Sequence, residues 1–137
     1  MSRIGNRTYP GRYTLGSWRD LEAQDAQNYL DQQVIATDRI TVVRCVYREG
    51  SDFREHFHPQ EQITIVEEGT LEFTIAGETI EVRQGQMITI NPQVRHSTRV
   101  VAGKGQVVAL NLFLKHPEAS TGFSSRSGIA TFLSPSH

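Results

Sequence analysis

Residues 50–69 read GSDFREHFHPQEQITIVEEG, and the rest of the chain is organised around them. They place His56 and His58 two residues apart, just ahead of a β-type run, with Gln62 four residues beyond His58. In an extended strand, residues i and i+2 point to the same side, so the two imidazoles are expected to aim at one point. A third histidine, His96, closes a second stretch, GQMITINPQVRH, that begins at Gly85. Neutral imidazole nitrogens and an amide oxygen can together supply most of a divalent cation's first shell. His56, His58, Gln62 and His96 are therefore the expected ligands of one transition metal ion, of the zinc, nickel, iron or manganese type. Glu61 is the competing ligand. Strand parity favours Gln62, which shares its side with Thr64 and Val66 while Glu61 points with Ile63 and Ile65.

Outward from this stretch, short β-branched runs alternate with Gly, Asn and acidic turns. Strands are expected at 34–36, 40–48, 62–67, 71–76, 79–83, 87–90, 96–101 and 106–114, with a tight hairpin at residues 76–78. Eight short strands at this spacing argue for an all-β sandwich or small barrel over residues 33–114. Ahead of it, residues 1–32 are expected to form an N-terminal arm with a short helix from Ser17 to about Gln27, anchored by Trp18 and Leu21. Residues 115–137 are rich in Ser and Gly and are expected to form a loose tail, with Phe123, Ile129 and Phe132 available to dock it. His116 and His137 lack the context of the other three histidines.

The chain has 137 residues and a formal net charge of −1, with charges scattered along it. That length suits one domain, and nothing resembles the basic footprint of a nucleic-acid binder. The single cysteine, Cys45, excludes a disulfide framework within the chain and reads as a small buried hydrophobe, which suits a reducing, cytoplasmic setting. No apolar run approaches the ~20 residues that a membrane-spanning helix needs.

Three residues are expected to face a small-molecule substrate. Thr64 shares a side with Gln62 and Thr98 with His96. Arg44 and Arg48 alternate with Val43, Cys45 and Tyr47: turned inward, Arg44 would suit an anionic substrate, and turned outward it is an ordinary surface arginine.

The two stretches resemble the paired signatures of the cupin superfamily. Gly50, His56, His58 and Gly69 fall on the first signature, with Gln62 where a glutamate is usual. Gly85, Pro92 and His96 fall on the second, with Gln93 where glycine is common and Val100 where asparagine is common. The resemblance covers roughly residues 33–114 and implies a double-stranded β-sandwich closing into a barrel, with His96 as the fourth ligand. It is nearest in kind to small single-domain cupins, both those that convert unsaturated uronates to linear keto acids and those that cyclise aromatic polyketides. Both imply proton transfer next to a carbonyl, and an amide in place of a carboxylate leaves the ion's full charge to polarise that carbonyl. Two other readings stand beside this one: a mononuclear iron dioxygenase, and a non-catalytic cupin that binds a small molecule. A homodimer is also implied, with the arm at 1–16 and the apolar outer positions Ile63 and Ile65 compatible with it.

Overall fold

The computed structural model describes residues 7–9, 11–26 and 29–114. In chain order the strands are β1 (Arg7–Tyr9), β2 (Tyr13–Leu15), β3 (Gln24–Ala26), β4 (Leu30–Ala36), β5 (Ile40–Tyr47) and β6 (Asp52–His56). They continue as β7 (Glu61–Glu68), β8 (Thr70–Ile75), β9 (Glu78–Arg83), β10 (Met87–Ile90), β11 (His96–Arg99) and β12 (Val107–Leu114). One sheet runs β10-β7-β12-β5-β4-β3 and a second runs β6-β11-β8-β9, while β1 and β2 pair with each other. All pairings are antiparallel.

Alternation along the strands builds the core. In β5, Val43, Cys45 and Tyr47 are buried while Val42, Arg44 and Val46 are only partly covered. The inward residues of the larger sheet, with Val66, Val107, Ala109 and Phe113, meet Phe53, Leu71, Phe73 and Val82 of the smaller sheet in one apolar cluster. A sheet with a single apolar face must bury it against another layer, which is why these strands close into a sandwich.

The hairpin expected at 76–78 forms, with Ile75 opposite Glu78 and positive φ at both Ala76 and Gly77. Positive φ at both central residues is the two-residue turn whose twist matches the flanking strands. Gly69 turns the chain from β7 into β8 at φ +85°, and a Cβ there would lie 2.5 Å from the carbonyl oxygen of Gln106. No side chain fits that gap.

The helix expected from Ser17 is instead a single 3-10 turn, Trp18–Asp20, followed by β3. A weakly periodic stretch does not repay the cost of nucleating an α-helix. The turn is held by Gln33 of β4, whose Nε2 donates to the carbonyls of Trp18 (2.6 Å) and Leu21 (2.9 Å). The sheet also begins earlier than residue 33, because β4 starts at the buried Leu30 and β3 pairs with it. Within the expected arm, β1 and β2 form a short hairpin. Residues 115–137 lie outside the described residues, and with them the docking expected of Phe123, Ile129 and Phe132. Among the described residues, no helix is long and apolar enough to cross a membrane.

Candidate metal centre

β6 is a strand that residue patterning misses, because Phe53 is its one buried apolar residue. It positions the first histidine. His56 ends β6 directly opposite His96, the first residue of β11, and their ring centroids are 4.4 Å apart. His58 lies two residues past the strand, in the connection to β7, where its carbonyl accepts a 2.8 Å bond from the Gln93 amide. Its ring sits 5.9 Å from that of His56 and 5.2 Å from that of His96, with Phe113 behind it. One ligand nitrogen from each histidine lies within 4.8 Å of the others. The i, i+2 expectation thus holds for the rings, although His58 itself is in a loop.

Each imidazole is fixed in tautomer by a backbone carbonyl. His56 Nδ1 faces the oxygen of Arg54 at 3.0 Å, His58 Nδ1 that of Gln60 at 3.0 Å, and His96 Nδ1 that of Val94 at 2.9 Å. A carbonyl only accepts, so Nδ1 donates in all three, and each Nε2 is left with a lone pair. This is how proteins orient metal-binding histidines. Burial also keeps two of the rings neutral: it lowers the pKa of His58, and brings that of His96 down to about 4.

Gln62 completes the cluster. β7 buries Gln62, Thr64 and Val66 on its inner side and exposes Glu61 and Ile63 on the other. The Gln62 side-chain oxygen stands 3.0 Å from His58 Nε2. With the proton on Nδ1, both of these atoms present lone pairs, an arrangement that a shared cation reconciles. Three imidazoles held by carbonyls, with an amide oxygen beside them, fit a divalent transition metal by the chemistry of the donor set. Glu61 is turned away from the cluster.

A narrow cavity adjoins the cluster, with a free volume of about 10 Å³, lined by Leu30, Tyr47, Phe53, His56, Gln62, Phe73, His96 and Thr98. Thr98 lines this cavity. Thr64 does not: it is fully buried behind Gln62, whose Nε2 donates to its hydroxyl at 2.9 Å. Arg44 requires a correction. It lies on the outer face of β5, where Nη1 donates to Gln33 Oε1 at 3.3 Å, because the buried Val43, Cys45 and Tyr47 take the inner face. Arg48 pairs with Asp31. Among the described residues, no lysine or arginine lines the cavity.

The residue that sequence reasoning passed over is Asn111. It is buried in β12 and pairs across the ladder with Thr64. Its oxygen accepts from the Thr64 hydroxyl at 2.5 Å and its nitrogen donates to the Tyr47 hydroxyl at 3.1 Å and the Cys45 sulfur at 3.2 Å. A polar residue at inward parity within VVALNLFL was the available signal. Burial pushes the Cys45 thiol up to about 12 and raises the Tyr47 phenol well above its usual value, so both stay protonated.

Comparison with known proteins agrees with this fold. A curated relative, "Polyketide synthase CurC" from Streptomyces cyaneus, is 33% identical over 78 residues, 56% of this chain and 51% of the relative. The chain therefore spans about half the length of the curated relative it matches. Among solved structures, KdgF from Halomonas sp. superposes with a TM-score of 0.65 at 19% identity, covering 73% of this chain and 93% of that one. The polyketide cyclase RemF from Streptomyces resistomycificus gives a TM-score of 0.65 at 16% identity, covering 83% and 94%. Residues 43–113, from the buried Val43 of β5 to the Phe113 that backs His58, match the family described as Cupin domain, and the chain belongs to that family.

Proposed function

We propose that this cupin is a metal-dependent enzyme that moves a proton next to a carbonyl in a small oxygenated substrate, of the kind needed for aldol-type closure of an aromatic polyketone. The observation that carries the proposal is the neutral donor set: three oriented imidazoles and the Gln62 oxygen, with no carboxylate among them. A divalent ion held by His56, His58, His96 and Gln62 would supply Lewis-acid polarisation of a substrate oxygen, undiminished by an anionic ligand. The chain's own residues do the rest. His58 and His96 stay neutral, and all three imidazoles are turned toward one point. Tyr47 keeps its proton, and with Phe53 and Phe73 it walls the cavity with aromatic ring surface that excludes water. The free volume of the cavity is small, so a ring-sized substrate must displace these aromatic walls.

Two observations favour a neutral polyketone over an unsaturated uronate. Among the described residues the cavity lining carries no cation for a carboxylate, and Arg44 faces away from it. The names of a curated relative and of a structural neighbour, a polyketide synthase and a polyketide cyclase, support the same side.

The test is turnover. An aromatic poly-β-ketone and an unsaturated uronate are offered to wild-type protein and to a variant with His56, His58 and His96 replaced by Ala. Cyclisation by wild type and none by the variant is expected, and equal turnover by both contradicts the mechanism. Oxygen uptake with iron bound would favour dioxygenase chemistry instead. Metal-free binding of a ligand without turnover would favour a non-catalytic cupin.

The proposal includes a homodimer in a cytoplasmic setting. Its support is the outer face of the larger sheet, where Ile40, Ile63, Met87 and Leu114 are exposed and the first, second and last of these border a depression of about 250 Å³. Sedimentation should give a dimer that Ile63→Lys weakens, and a monomer at all concentrations overturns it.

A further inference from the structure

A glutamine side chain has nearly the same shape at both ends, yet only its oxygen can join a cation's shell. What faces the other end therefore matters. Gln62 Nε2 donates to the Thr64 hydroxyl at 2.9 Å and lies 3.4 Å from Asn111 Oδ1. Thr64 has a single proton and spends it on Asn111 Oδ1 at 2.5 Å, so its remaining lone pairs are free to accept from Gln62. Asn111 can accept in this way only with its nitrogen turned to the far side, where Tyr47 and Cys45 receive it. The result is a directional chain across β7, β12 and β5, all of it buried. Run in reverse, the same chain would turn the Gln62 nitrogen toward the imidazoles, cap the His58 lone pair and leave Gln62 with no donor atom for a cation.

We propose that Thr64 and Asn111 are positioning residues that hold the Gln62 oxygen toward the three imidazoles. The inference rests on the metal reading of that site. It also connects the ligand amide to Tyr47, so the cavity wall and the cluster share one hydrogen-bond direction.

The probe is Co²⁺, titrated into the full chain and followed by its visible absorption. Thr64→Val keeps the shape of the side chain and removes the hydroxyl. It should weaken Co²⁺ binding about tenfold and alter the spectrum, the usual size of an outer-shell effect. Thr64→Ser should restore both to within about threefold. Asn111→Leu should behave like Thr64→Val; if it fails to fold, the isosteric Thr64 pair still decides. The discriminating measurement repeats Thr64→Val in a Gln62→Glu background. A carboxylate has oxygen at both ends and no direction to set, so the loss there should shrink to less than about threefold. Equal losses in both backgrounds, or wild-type affinity and spectrum in Thr64→Val, overturn the inference alone. A wild-type chain that takes up no Co²⁺ sinks the metal reading, and this inference with it.

Discussion

The side-chain oxygen of Gln62 stands 3.0 Å from Nε2 of His58, while Nδ1 of the same ring is committed to the carbonyl of Gln60. Two acceptors facing each other in a buried site are costly unless something positive lies between or beside them. Gln62→Glu adds a negative charge at that point. It should retain the metal or bind it more tightly, yet lower the rate of proton transfer by at least about tenfold, some 1.4 kcal/mol of barrier. Metal content and kcat measured on the same preparation check this. Undiminished activity would show that the ion's uncompensated charge is not what the reaction uses.

Acid should destabilise the metal-free protein in a defined window. The unfolded chain protonates a histidine near pH 6.5, whereas burial keeps His96 neutral down to about 4 in the folded chain. Between these values the unfolded state binds the extra proton. Stability is thus fully present above pH 6.5 and falls toward pH 4, by on the order of 3 kcal/mol from His96. His58, shifted the same way mainly by burial, adds to the fall. Urea midpoints of metal-free protein at pH 7.5 and pH 4.5 read the difference directly, and His96→Gln should flatten it.

Gly69 and Gln93 predict opposite responses to substitution. Gly69→Ala places a Cβ 2.5 Å from the Gln106 oxygen at positive φ and should cost at least about 2 kcal/mol. Gln93 stands where cupins commonly have glycine and does hold a left-handed φ of 68°, so Gln93→Gly should be neutral or stabilising by up to about 1 kcal/mol. Chemical denaturation of the two variants beside wild type measures both. A destabilised Gln93→Gly would mean that its side chain contributes more than the strain it carries.

Much of this was legible because strand parity is a strict code. Alternation placed Gln62 inside and Glu61 outside, and the hairpin at Ala76-Gly77 followed from turn chemistry. Parity failed to orient β5, since a strand with arginines on one side and Val, Cys and Tyr on the other leaves open which side meets a polar cavity. There the apolar core took the second set and left Arg44 to Gln33. β6 was hidden because Asp52, Arg54 and Glu55 face solvent, and what defines the strand is pairing with the distant β11. Asn111 shows the other limit. Its neighbours Val43 and Thr64 are 68 and 47 positions away in sequence, and only the ladder brings them together.

The central claim is that His56, His58, Gln62 and His96 hold one metal ion, and elemental analysis of purified wild-type protein beside His58→Ala tests it most directly. About one transition metal ion per chain in wild type, lost in the variant, is the result the donor geometry requires. A wild-type chain that carries none, even after reconstitution with zinc, nickel, iron and manganese, would contradict it.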